Sequence, residues 1–355
     1  MNRYHNIYFS QQSSLRKIRR AKAKKKSLNM IKARRPRNKR KRDRFNSVKN
    51  FQLKNHTLTI KLDENFSLLD NTEEVIEAIN NISAISHETD FKGDIFIDIE
   101  NVKHFDIGAL GLLLSAVNSL YRSRIPVFGN VPKDEQCAKF FSDSGFLNHM
   151  QDLQGNPLHR ESRNLLIERG FDRTSNQRVG AEIRNAVKYL TGLDNSYRPV
   201  YSIVQEMCAN SIEHANSEKR RKNWLFATYY TENKVIFTMT DIGAGILSTL
   251  RKKAKQIVKD TITLKDEVST LSGAFNKKYQ SSTFDTNRNK GLPKIKEINT
   301  FNYIENLKVI TNNVLIDFNN SARSRRLDAK LKGTFYYWEL TKKCIEKWQQ
   351  RSILL

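Results

Sequence analysis

The segment from Glu206 to Ala215 carries polar side chains whose types and spacing could do chemistry. Glu206, Asn210 and His214 stand at i, i+4 and i+8, so they share one face of the helix that this segment predicts. A carboxylate there could deprotonate an attacking group, and an amide oxygen one turn later is a hard ligand that suits Mg²⁺. The same pattern is also typical of an ordinary amphipathic helix, so the case for a site depends on further motifs.

A second motif, Asp241-Ile242-Gly243-Ala244-Gly245-Ile246, directly follows the predicted strand Val235 to Thr240. An aspartate at the carboxyl end of a strand can accept a hydrogen bond from an exocyclic amine such as that of adenine. The two glycines allow the backbone to come close to a ligand. This motif alone is weak evidence, but its combination with the Glu206 helix indicates a nucleotide pocket.

Two more elements follow in the chain. Lys290-Gly291-Leu292-Pro293 precedes a predicted helix, Leu292 to Thr300, with Pro293 in the first turn, where proline is tolerated. Phosphates favour such helix N-termini, and Lys290, with Arg288 or Lys294, adds positive charge. Gly333-Thr334 opens the last predicted strand.

The order and spacing of these four elements resemble the N, G1, G2 and G3 boxes of the GHKL superfamily. This resemblance implies a Bergerat-type α/β sandwich over residues 165–345 that binds ATP and Mg²⁺, with residues 247–290 as a lid over the ATP. It implies that Glu206 is the general base, that Asn210 is the Mg²⁺ ligand and that Asp241 anchors the adenine. The remaining cofactor contacts would be Gly243, Gly245, Ile246, Lys290, Gly291, Leu292 and Thr334. Asn289 replaces a usual glycine, which could slow turnover, but the presence of Glu206 favours phosphoryl chemistry over nucleotide sensing.

The chain ahead of this region predicts a small α/β domain over residues 50–152. Strands at Thr57 to Lys61 and Asp94 to Ile99 alternate with helices at Glu73 to Ile82 and Ala109 to Leu120. Ile97-Asp98-Ile99 followed by Phe105-Asp106-Ile107-Gly108-Ala109-Leu110-Gly111 resembles the strand-turn-helix of STAS domains. In signalling members that turn carries a phosphorylatable Ser or Thr, and here Ile107 and Gly108 cannot accept phosphate. The resemblance therefore implies a docking or regulatory module for a protein partner, the alternative being a generic α/β layer.

Composition sets the N-terminus apart from the rest of the 355-residue chain, whose net charge is +25. Residues 1–50 contain 19 Lys and Arg and one acidic residue, Asp43, with few apolar side chains, so a disordered basic tail is expected over residues 1–48. Clustered cations in residues 16–44 favour nucleic-acid binding through phosphates. The alternative is a solubilising tail or one attracted to a membrane surface.

Other sequence features narrow the class of protein. No apolar run is long enough to span a bilayer, no secretory signal is evident, and the three cysteines lack metal-site spacing, so a cytoplasmic protein with reduced thiols is expected. His149 and His159 lack the helical context of a histidine-kinase phosphoacceptor. The layout instead favours an ATPase or a serine kinase of the anti-sigma-factor type, acting as a regulatory switch, and homodimers are common in that family. The alternative is a nucleic-acid-binding protein or defence-system component whose ATP domain is a conformational switch.

Overall fold

The computed structural model describes residues 7–8, 51–54, 56–87, 91–152, 154–158, 161–169, 176–213, 224–241, 243–257, 266–276 and 291–353. The chain divides into two compact units, Met1–Ser162 and Arg163–Leu355. Each unit combines helices with a five-stranded sheet, so the protein is of the mixed α/β class. No helix in these ranges is both long and apolar enough to cross a membrane.

The first unit has a sheet whose three central strands are parallel. Its strand order is β1-β7-β5-β3-β2, and β3, β5 and β7 run parallel while the two edge strands are antiparallel. The elements are β1 (Ile7–Tyr8), β2 (Phe51–Lys54), β3 (Thr57–Lys61), β4 (Asn65–Phe66), α1 (Thr72–Ile85), β5 (Asp94–Asp98), β6 (His104–Phe105), α2 (Ile107–Arg122), β7 (Val127–Gly129) and α3 (Glu135–Asp143). Strand β1 lies inside the segment that composition assigns to the disordered basic tail. That prediction is wrong for Ile7 and Tyr8, because they pair with β7 as an edge strand. The remaining tail residues lie outside the described ranges.

Helix α2 begins at a half-buried aspartate that caps its first turn. Asp106 accepts hydrogen bonds from the Ala109 amide at 2.6 Å and the Leu69 amide at 3.0 Å. Burial raises the pKa of this carboxyl, and the hydrogen bonds that it accepts lower it. Ile107 and Gly108 form the first turn and are both buried. The turn is therefore closed by a carboxylate, and no hydroxyl stands at its first two helical positions.

The second unit is built on an antiparallel sheet with the order β11-β12-β10-β9-β8. Its elements are β8 (Leu165–Arg169), α4 (Asn176–Thr191), α5 (Arg198–Glu213), β9 (Trp224–Tyr230), β10 (Lys234–Asp241), α6 (Ile246–Ile257), α7 (Glu267–Phe275), α8 (Gly291–Thr300), β11 (Glu305–Asp317), β12 (Arg325–Thr341) and α9 (Lys342–Ile353). Alternate residues of β10 and β12, such as Phe237 and Trp338, face a core shared with the helices. Their rings stack at a centroid distance of 5.5 Å. This layered packing positions α5 and α8 against the inner face of the sheet.

Four elements of this unit were not predicted from the sequence. Strand β8 begins at the end of the predicted linker, and Leu166 is buried where it pairs with Ala227. Helices α6 and α7 fall inside the segment expected to be a lid, because Leu271 and Phe275 of α7 enter the core. Helix α9 follows the last strand and buries Ile345 in the same core. The lid prediction therefore needs correction for α6 and α7, while residues 258–265 and 277–290 lie outside the described ranges.

Candidate functional site

Four strands of the second unit bring a row of side chains together at one end of the sheet. The register pairs Asp241 with Trp224 on one side and with Thr334 on the other, and Thr334 pairs with Thr311. Directly opposed residues of an antiparallel ladder point to the same face. Asp241 therefore lies in the middle of a row that no pattern along the chain would show.

The Asp241 carboxylate is held by donors from two strands. The Gly243 amide donates to its Oδ1 at 2.9 Å, and both the side chain and the backbone of Thr334 donate to the same carboxylate. Burial nevertheless raises the pKa of Asp241 to about 6, because these hydrogen bonds only partly offset the loss of water. A carboxylate has about four lone-pair positions, so the three donors leave roughly one for another group.

The loop after Asp241 is fixed by β11. Gly245 has a φ of +80°, and a Cβ atom there would lie 2.6 Å from Asn312 Oδ1. The Asn312 side-chain Nδ2 donates to the Ala244 carbonyl at 2.8 Å, and its Oδ1 accepts from the Ser248 backbone amide at 3.1 Å. The Ile246 amide donates to Thr311 Oγ1 at 2.9 Å. Gly245 is thus required by packing inside the protein, and the Ile246 amide already has a partner.

Gly333 is a second position where only glycine fits. Its φ is +114°, and a Cβ atom would lie 1.9 Å from the Asp241 carbonyl oxygen and 3.1 Å from the Gly243 nitrogen. No L side chain can be accommodated at such a distance, so Gly333 lets β12 run tightly against the end of β10. The neighbouring Thr334 is 1% exposed and lies 3.1 Å from Thr311 between the two hydroxyl oxygens.

Helix α5 presents Glu206 and Asn210 along one edge of its buried face. Ile203, Val204 and Met207 are fully or almost fully buried in the core, whereas Glu206 and Asn210 keep partial exposure. This division follows the helical period that the sequence predicted.

Tyr336 links Asn210 to Asp241. Burial raises the pKa of Tyr336, the negative charge of Asp241 raises it further, and the Asn210 side chain lowers it. The tyrosine hydroxyl therefore lies beside the Asn210 side chain and within range of the charge of Asp241. The Asn210 Nδ2 atom is buried, yet within the described part of the chain it makes no hydrogen bond of ordinary geometry. A buried amide without a good partner is costly, and it fits a position that a ligand would complete.

The start of α8 packs against α5 at Glu206. A Cβ atom on Gly291 would lie 2.8 Å from Glu206 Oε2, so a glycine allows the helix to start directly beside the carboxylate. Lys294, one turn into α8, places its Nζ 3.4 Å from Glu206 Oε1. The Glu206 carboxylate thus lies between a helix N-terminus and a lysine, both of which favour negative charge.

The structure brings the predicted site residues together in two groups. Glu206 and Gly291 lie together, and Asn210, Asp241 and Thr334 lie together around Tyr336. Leu292 packs partly buried against the core. Lys290, Asn289, Ile242 and His214 lie outside the described residues. The described ranges contain no cluster of three or more His, Cys, Asp or Glu residues that could hold a metal, so Asn210 stands alone as a predicted Mg²⁺ ligand.

Sequence reasoning missed Thr311, Asn312 and Tyr336. Tyr336 could have been found, because it is two residues beyond Thr334 on the same strand and therefore on the same face. Thr311 and Asn312 gave no signal, since their role depends on the register between β11 and β12, where the pairing is irregular.

No protein-family model matches the sequence, and no curated protein matches it significantly.

Proposed function

We propose that the second unit binds ATP with Mg²⁺ in a Bergerat-type pocket between α5, α8 and the end of β10. The observation that carries this proposal is the convergence of three segments that are distant in the chain. Glu206 meets the start of α8, while Asn210 meets Asp241 around Tyr336. A carboxylate at a strand end, an amide and a second carboxylate beside a helix N-terminus form the set of groups that the GHKL resemblance implies.

The Asp241 end suits the base of the nucleotide. Its carboxylate has roughly one acceptor position left after three internal donors, which is enough for one exocyclic amine. Asp241 keeps partial exposure at the end of β10, and an amine donor would reach its carboxylate there. An amine donor would also relieve the cost of keeping this carboxylate charged.

The Glu206 end suits the phosphates. The start of α8 would offer the backbone amides of Gly291 and Leu292, since Pro293 has none, together with the positive end of the helix dipole. Asn210 would supply one oxygen to Mg²⁺, which commonly keeps several waters and takes its other ligands from substrate phosphates. The absence of an acidic cluster from the described residues is compatible with this mode of metal binding.

Glu206 would act as the general base. It would take the proton of a water or a serine hydroxyl while that oxygen bonds to the terminal phosphorus, and the bond from this phosphorus to the ADP oxygen would break. With water the protein is an ATPase, and with a serine hydroxyl it is a protein kinase. The first unit, with Asp106, Ile107 and Gly108 at its turn, would act as a fused STAS-like docking module that has no phosphoacceptor there.

The test compares the full-length wild type with Glu206→Gln and with a matched control, Glu297→Gln, at an exposed carboxylate on α8. We expect Mg-ATP binding in all three proteins and a loss of turnover of roughly 100-fold or more in Glu206→Gln alone, the usual contribution of a general base. With γ-labelled ATP, label released as phosphate identifies an ATPase and label on protein identifies a kinase. A wild type that does not bind ATP, or equal turnover in the wild type and Glu206→Gln, would contradict the proposal.

A further inference from the structure

We propose that Lys294 is the residue by which this site distinguishes a nucleoside triphosphate from a diphosphate. The inference rests on the proposed ATP site and adds a specificity determinant to it. Lys294 is paired with Glu206, at 3.4 Å between Nζ and Oε1. Triphosphate binding would draw the lysine to the terminal phosphate and leave Glu206 free to act as a base.

The position of Lys294 follows from that of Glu206. A general base must lie within hydrogen-bond reach of the group that attacks the terminal phosphorus. Lys294 is the neighbour of the Glu206 carboxylate. Asp241, at the end of the site that would hold the adenine, is instead linked to Asn210 through Tyr336. Lys294 is therefore at the terminal-phosphate end of the site.

The ion pair is weak enough to be exchanged. The Lys294 side chain is 44% exposed and the Glu206 side chain 31%, and pairs with such exposure contribute little to stability. A terminal phosphate carries more charge than one carboxylate and offers several acceptor oxygens, so it competes well for the ammonium group. A diphosphate ends one phosphate earlier and leaves the lysine on Glu206.

Three other cationic groups could be confused with Lys294. Arg288 and Lys290 precede α8 but lie outside the described residues. Lys296 lies on α8 two residues further along, and its ammonium contacts Asn276, so it is directed away from Glu206. This makes Lys296→Met a matched control, since it removes one charge from the same helix.

The experiment measures Mg-ATP and Mg-ADP affinities by calorimetry for the wild type, Lys294→Met, Lys294→Arg and Lys296→Met, all as full-length protein. Loss of one charge-assisted contact corresponds to about a tenfold weaker affinity. We expect Lys294→Met to lose about tenfold in ATP affinity and less than about twofold in ADP affinity. Lys294→Arg should keep most of the ATP preference, and Lys296→Met should match the wild type.

A companion variant tests the exchange itself. Glu206→Gln removes the competing carboxylate charge, so it should bind ATP more tightly than the wild type, and the gain should disappear in Glu206→Gln/Lys294→Met. Equal losses for ATP and ADP in Lys294→Met, or no loss at all, would overturn this inference and leave the ATP site intact. A wild type that binds neither nucleotide would overturn the proposed function and this inference together.

Discussion

Replacing Asp241 with asparagine should separate ligand binding from stability. Burial raises the pKa of this carboxyl from 3.8 to about 6. Between these values the folded protein binds the proton more tightly than the unfolded chain, so the free energy of unfolding falls as the pH rises from about 4 to 6. At neutral pH this change in pKa lowers the free energy of unfolding by roughly 3 kcal/mol.

Asparagine removes the charge but keeps one acceptor oxygen. One of the three internal donors to Asp241 would then lose its partner, at a cost of about 1 kcal/mol. We therefore expect Asp241→Asn to raise the free energy of unfolding by about 1–2 kcal/mol near pH 7.5. The gain should vanish below about pH 4, where the wild-type carboxyl is protonated in both states. ATP affinity should fall by roughly 100-fold, because an amine donor would face an amide in place of a carboxylate.

Denaturant unfolding followed by tryptophan fluorescence is the suitable assay, because Trp224, Trp338 and Trp348 are the only tryptophans and all lie in the second unit. Asp328→Asn, at an exposed aspartate on β12, is the matched control and should leave both stability and affinity unchanged. A clear loss of stability in Asp241→Asn near neutral pH would show that the carboxylate serves as a structural cap, and the reasoning from its burial would be refuted.

Three further outcomes are expected. Gly333→Ala should destabilise the second unit by several kcal/mol in the same fluorescence assay, since its Cβ would lie 1.9 Å from the Asp241 carbonyl oxygen. Gly192 also has a positive φ (+77°) but open space around it, so the control Gly192→Ala measures backbone strain without a steric contact. Gly291→Ala should displace Glu206 and lower ATP turnover by roughly tenfold or more with a smaller effect on stability, and turnover equal to that of the wild type would contradict the closeness of α8 to Glu206. Replacing the Lys and Arg of residues 16–44 with Gln, which preserves β1, should abolish salt-sensitive retention on mixed nucleic acid, and equal retention across a salt series would remove that role from the tail.

Local patterns predicted much of the second unit. The helical spacing of Glu206 and Asn210 agrees with α5, and Asp241 ends β10 as alternation suggested. Helices α6 and α7 were missed because their segment is polar overall, and only a few residues such as Leu271 and Phe275 contribute to the core. Short edge strands such as β1 and β8 were missed because pairing with a neighbouring strand, and not their own composition, makes them strands.

The sequence by itself determined which side chains share a helix face or end a strand, because these periods are set by backbone geometry alone. It therefore pointed to Glu206, Asn210, Asp241 and Gly291. Only the tertiary structure decided that Thr334 would donate to Asp241, that Tyr336 would lie between Asp241 and Asn210, and that Lys294 would pair with Glu206. Those contacts depend on strand register and on the packing of α5 against α8, which join residues about 90 or more positions apart in the chain and leave no local pattern in it.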